Sequence, residues 1–180
     1  MPEIEIRAAV ESDIASLTQI DHSYTSEYVW QVEVRREENN ITLSFREARL
    51  PRAVRVDYPR SPKSLMEDWK QRSGLLVALL SDKIVGYISL MEDISPSAIW
   101  VTDLAVAPPH RRQGIGSALI LAAQEWTIER SRHSRLVLEM QPKNHPAIHM
   151  CQRLGFEFCG FNDHHYANRD IALFFAKWLR

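Results

Sequence analysis

The sequence predicts one mixed α/β (α+β) domain, with a mixed central sheet, helices on both faces and an extra β-hairpin near the N-terminus. Three observations carry this prediction. The first 90 residues hold paired runs of alternating apolar and polar residues, separated by short polar turns. The second half switches to strand–helix–strand–helix–strand, with its first helix opening at Gly114. A length of 180 residues suits a single core, and no linker, repeat or low-complexity stretch divides it.

Taken in order, Ile4 and Ile6 alternate with charged residues and predict a first strand. Ser12 or Asp13 can cap a helix carrying Ile14, Leu17 and Ile20. Tyr28, Trp30, Val32 and Val34, then Ile41, Leu43 and Phe45, alternate with polar residues around the turn Glu37–Asn40, predicting a hairpin with one polar face. Val54, Val56 and Tyr58 extend it, and Pro59 and Pro62 break it, so residues 27–58 read as an inserted segment. Leu65–Gln71 is a short helix. Leu75–Leu80 and Ile84–Met91 flank Ser81-Asp82-Lys83 as a second hairpin, and Ile99–Val106 is a buried strand. From Gly114 to about Glu129 a helix places Ile115, Leu119, Ala122 and Trp126 on one face. Leu136–Glu139 is a strand and Pro146–Leu154 a helix with Gly155 after its end; Ile171–Phe175 is the final strand. The crossover through Gly114 should be right-handed and parallel.

A net charge of −1 gives no case for nucleic acid or an anionic membrane surface. No stretch is apolar and long enough to span a bilayer, and the acidic, alternating Met1–Arg7 does not read as a signal peptide. The two cysteines, Cys151 and Cys159, have no metal-site spacing, so a cytoplasmic protein with no metal site is expected.

The chemistry concentrates in Arg111-Arg112-Gln113-Gly114-Ile115-Gly116. Gly114 and Gly116 leave backbone room at a helix start, where unpaired N–H groups and the helix dipole favour an anion. Arg111 and Arg112 add cationic donors and Ser117 a hydroxyl; the plainer alternative is a glycine-rich turn. The loop lacks the Gly-Lys-Ser/Thr of a Walker A motif, and Leu119 stands where a dinucleotide fingerprint needs its third glycine.

The segment resembles the acetyl-CoA signature of the GNAT N-acetyltransferases, Gln/Arg-x-x-Gly-x-Gly/Ala. Leu138-Glu139, Asn144-x-x-Ala147 and Arg153-Leu154-Gly155-Phe156 follow, as in that family. The likeness runs from about Ile84 to the C-terminus, and more weakly over Ile4–Ile20. It implies one GNAT domain over residues 1–180. Acetyl-CoA as co-substrate would pair its pantetheine arm with Leu104, Ala105 and Val106. Its pyrophosphate would lie on Arg111, Arg112, Gln113, Gly114, Ile115, Gly116 and Ser117, with Asn144 near the arm. Asn144 reads equally as a helix N-cap.

The family reaction needs a proton acceptor for the attacking ammonium and a donor for the thiolate. Glu139 lies five residues before Asn144, the spacing seen in ribosomal-protein alanine N-acetyltransferases, and is the candidate base. Its alternative is a strand-end carboxylate that binds the amine or pairs with an arginine. Asp103 and Glu92 are weaker candidates. Where the family often has a tyrosine as acid, this chain has Cys151, which reads as a packing residue or a thiol donor. Tyr166, after His164-His165, is the other candidate acid, while adjacent histidines alone make no metal site. Glu139-Met140-Gln141 and the C-terminal segment also look like streptothricin acetyltransferases. That points to a small polyamine-like acceptor, with a protein N-terminus or lysine as the alternative. A sensor that binds acetyl-CoA without turnover is a reading of another class. The hairpin is expected to shape the acceptor site or to form a homodimer edge.

Overall fold

The computed structural model describes residues 3–130 and 134–179; Met1 and Pro2 of the N-terminal segment lie outside them. Seven strands form the main sheet: β1 (Ile4–Ala8), β4 (Gly74–Leu80), β5 (Lys83–Ser95), β6 (Ala98–Val106), β7 (Arg135–Met140), β9 (Ala172–Trp178) and β8 (Glu157–Asn162), in that spatial order. Only β6 and β7 run parallel; every other neighbour is antiparallel. Strands β2 (Tyr24–Glu37) and β3 (Asn40–Val56) make a separate two-stranded sheet.

Helices cover both faces, and β4 shows why. Leu75, Val77 and Leu79 point to one face and pack with Ile14 and Leu17 of α1 (Ile14–Thr18) and Leu65 of α2 (Pro62–Asp68). Leu76 and Ala78 point to the other, into the core under α3 (Ile115–Glu129) and α4 (His145–Arg153). A strand covered on both sides reads as an unbroken apolar run, Leu75–Leu80. Each fully buried Leu or Ile here contributes roughly 1.5–3 kcal/mol of transfer free energy.

Several elements depart from expectation. The buried stripe of α3 runs through Ile115, Leu119, Ile120, Ala123 and Thr127, with Ala122 and Trp126 at its margin. Helix α2 begins at Pro62 because the Ser61 hydroxyl accepts from the Lys63 N–H at 3.3 Å and proline suits the first helical position. Asp13 does not cap α1 from its side chain; it accepts from the Val10 N–H at 2.8 Å and pairs with Arg7 at 2.7 Å. Strand β8 was not anticipated. It is an edge strand whose Phe158 and Phe161 meet Phe45 of the hairpin, with Phe158 also against Phe175 of β9.

The hairpin is longer than expected and its turn is Glu38-Asn39. Its base is fastened to the domain. The Trp30 N–H donates to the Pro142 carbonyl at 2.9 Å, and Tyr28 stacks on His145 with centroids 4.5 Å apart. Its tip leaves Ile41 and Leu43 exposed.

Candidate active site

The parallel pair β6–β7 is where the sheet opens. The two strands pair from Ala98↔Arg135 to Val101↔Leu138 and then part. An irregularity in β6 at Thr102, where Ser89↔Asp103 gives way to Leu90↔Val101, turns the strand away. Beyond it Leu104, Ala105 and Val106 pair with Ile88, Tyr87 and Gly86 of β5 alone. Among the described residues their other edge meets no strand, and a linear amide-bearing ligand can extend it.

At the mouth of the gap α3 begins. Gly114 holds φ +85°, a left-handed conformation that glycine alone adopts cheaply, and a Cβ there would meet nothing within 4 Å. The first amide of α3 with a carbonyl partner is that of Ala118, which donates to Gly114 at 2.9 Å. Among the described residues, the backbone N–H groups of 112–117 have no protein acceptor. They include the first-turn donors of a 15-residue helix, beside open space. This cradle and the free edge of β6 fit a diphosphate joined to an amide-containing arm.

Arg111 departs from its expected place on the phosphate. Its guanidinium donates to the carbonyls of Val106 (2.8 Å), Ser23 (2.7 Å) and Asp21, tying the segment before β2 to the end of β6. Arg111→Ala should therefore cost on the order of 2 kcal/mol of stability, read from the denaturant midpoint, while acetyl-CoA affinity changes by less than about threefold. Arg112 stays exposed at φ +60°, and the Gln113 amide donates to the Pro109 carbonyl at 3.1 Å. Asn144 is the N-cap of α4, its side-chain oxygen accepting from Ala147 at 3.3 Å.

Within the gap stand two nearly buried carboxylates, one from each parted strand. Asp103 is 6% exposed and Glu139 5%. Arg60 bridges them. Its Nη2 donates to Glu139 Oε1, its Nη1 lies 3.6 Å from Asp103 Oδ1, and Nη1 also donates to the Thr102 carbonyl at 2.7 Å. The Tyr58 hydroxyl donates to Asp103, and His165 Nε2 lies 3.1 Å from Glu139. Arg72 grips Asp68 through both oxygens at 3.1 Å and reaches Asp103 at 3.3 Å. Burial, with the Glu139 charge second, pushes the Asp103 carboxyl up to about 7, although Arg60 and Arg72 lie against it. Tyr166 is buried with Arg60 5.3 Å over its ring; burial and then the Glu139 charge raise its pKa, so the phenol keeps its proton.

Glu139 thus matches the alternative given for it beside the base, a strand-end carboxylate paired with an arginine. Glu92 is excluded by topology. It sits toward the opposite end of the sheet, 3.4 Å from Arg130. Cys151 lies in the hydrophobic core with no exposed surface, packed among apolar side chains, so it fills space there and does not face the gap; burial pushes its thiol up to about 12. The sequence reading missed Tyr58, Arg60, Asp68 and Arg72. The only local signal was Arg60 held in Tyr58-Pro59-Arg60-Ser61-Pro62, a segment stiffened by two prolines.

Comparison with known proteins identifies the family. The chain is 31% identical over 164 residues to the streptothricin acetyltransferase of Streptomyces lavendulae, covering 88% of this chain and 84% of that protein. A nourseothricin acetyltransferase structure superposes with TM-score 0.82 at 26% identity, covering 98% of this chain and 99% of that one. A Bacillus anthracis str. Ames acetyltransferase solved with acetyl coenzyme A shares the fold, with TM-score 0.75, 20% identity, and 98% and 99% coverage. The model of the acetyltransferase (GNAT) family matches residues 20–156. The chain belongs to the GNAT family and is an acetyl-CoA-dependent N-acetyltransferase.

Proposed function

We propose that the acceptor is a small molecule carrying several primary amines, of the streptothricin type, and that acetyl passes to it directly within a ternary complex. The observation that carries this is the pair Asp103 and Glu139 bridged by Arg60: two inward carboxylates on the parted strands, already gathered round a cation. Tyr24, Tyr58 and Tyr166 add aromatic walls, and Asp170 extends the acidic lining through Gln141, which bonds both it and Tyr24. The likeness to the streptothricin and nourseothricin enzymes supports the same acceptor class.

Bound acetyl-CoA supplies an activated thioester. The residues do the rest. The free edge of β6 at Leu104–Val106 holds the arm and offers backbone N–H to the carbonyl oxygen. The loop amides 112–117 hold the diphosphate. Asp103 and Glu139 draw in the acceptor's ammonium and take its proton, leaving a neutral amine lone pair for attack. Tyr166, held in its neutral form, donates a proton to the departing thiolate. Arg60 orients both carboxylates.

Asp103 is protonated below about 7 and becomes a proton acceptor above it. The account therefore expects kcat/KM for the amine to rise through pH of about 7 and then level, reporting the coupled pair. Asp103→Asn should remove that inflection and cut the plateau by about 100-fold. A screen read by CoA thiol release tests the acceptor class. Streptothricin-like polyamines should be turned over far faster than peptides with free N-termini or lysines. Faster peptide turnover would overturn the assignment. The free cysteines are in keeping with a reducing, cytoplasmic setting.

A further inference from the structure

Outside the gap, a second cluster joins the hairpin to α4. His145 and His149 lie one turn apart on the same helix face, ring centroids 4.1 Å apart, and Glu47 of β3 reaches between them. Glu47 Oε2 is 3.0 Å from His149 Nε2 and 3.3 Å from His145 Nδ1, and the three ligand atoms all lie within 4.8 Å of one another. At metal–ligand distances of about 2.0–2.2 Å, the edges of a coordination tetrahedron are about 3.3–3.6 Å. The two separations from Glu47, 3.0 and 3.3 Å, therefore already stand close to the edges of one tetrahedral face.

Hydrogen bonding accounts for only part of the cluster. His149 can donate to Glu47. The buried Nδ1 of His145 has no hydrogen-bond partner, although the carboxylate oxygen is only 3.3 Å away. A buried ring nitrogen without a well-aligned hydrogen-bond partner is costly. A cation between that nitrogen and the carboxylate oxygen would bond both atoms. Two imidazoles and one carboxylate form a donor set for a borderline divalent ion such as Zn2+ rather than for Ca2+ or Mg2+, which favour oxygen. The cluster is partly open to solvent, so water can take the fourth position.

We propose that Glu47, His145 and His149 bind a divalent transition-metal ion of the zinc type, which clamps the β2–β3 hairpin onto α4. The site is separate from acetyl transfer, which needs no metal. Its effect is to fix the hairpin base, already held by Tyr28 on His145 and by the Trp30–Pro142 bond, against the helix whose N-cap is Asn144.

The test uses the full chain without an affinity tag, treated with EDTA and dialysed. Calorimetric titration with ZnCl2 should give one equivalent bound, and CoCl2 should give the visible bands of four-coordinate Co2+. The melting temperature should rise with Zn2+. Glu47→Gln and His149→Gln should each weaken Zn2+ binding more than tenfold and remove the shift in melting temperature, while acetyl-CoA affinity, unchanged, shows the variants are folded. Binding weaker than about 0.1 mM in the parent protein would overturn the proposal. So would binding that persists in both variants, which would place the ion elsewhere, for example at Cys159 or His164.

Discussion

Gly114→Val raises the Kd for acetyl-CoA by about 100-fold or more. Two effects act together. The φ of +85° costs a β-branched side chain on the order of 1–3 kcal/mol, which the loop relieves by turning its amides out of line. The added side chain also enters the open space beside those amides, where the diphosphate would lie. A charge-assisted hydrogen bond contributes about 1.5–3 kcal/mol, so losing two amounts to about 3–6 kcal/mol, a factor of 100 or more. Because a Cβ at Gly114 meets nothing of the protein within 4 Å, the fold itself should survive, with a melting temperature lowered by no more than about 12 °C. Calorimetry of acetyl-CoA binding checks this. An affinity within threefold of the parent would remove the loop as the anion cradle.

Glu139→Gln is expected to lower kcat/KM for the amine by about 100-fold, within the range that a positioned proton-transfer group supplies, while the acetyl-CoA Kd stays within about threefold. The amide is nearly isosteric and can still accept from Arg60 and His165, so the site should hold its shape. What disappears is one negative charge facing the incoming ammonium. The loss should fall on both kcat and the amine KM, and the pH profile should shift, since the Glu139 charge helps hold Asp103 near 7. A variant that loses only thermal stability, with kcat/KM intact, would reduce Glu139 to a structural partner of Arg60.

Particular residues show how far the sequence could be read. The run Leu75–Leu80 and the spacing of Ile115 and Leu119 marked elements whose burial pattern is strong and local. The glycine loop was legible because its chemistry lies in one segment. Strand β8 was not, because an edge strand of Glu157–Asn162 needs only Phe158 and Phe161 to face neighbours. Pro62 was read as a breaker because its role at a helix start depends on Ser61 capping. Arg111 looked like a phosphate ligand on the motif alone. Only folding brings the carbonyls of Asp21 and Ser23 to it across about 90 residues.

The candidate site was half legible for the same reason. Glu139 and Tyr166 were reached through resemblance, and Asp103 only as a weaker alternative. What joins the two carboxylates is Arg60, which follows the hairpin and is separated from Glu139 by 79 positions. No periodicity reports such a contact. Cys151 shows the converse: a position that the family often uses for acid chemistry is filled here by a small side chain sealed into the core.

Single-turnover thiol release from enzyme preloaded with acetyl-CoA tests the central claim most directly. The account predicts no free CoA thiol until a streptothricin-like polyamine is added. One equivalent of thiol should then appear with one equivalent of N-acetylated product, at a rate that rises through pH of about 7. Thiol released before the amine, or tight acetyl-CoA binding with no release to any amine, would contradict it.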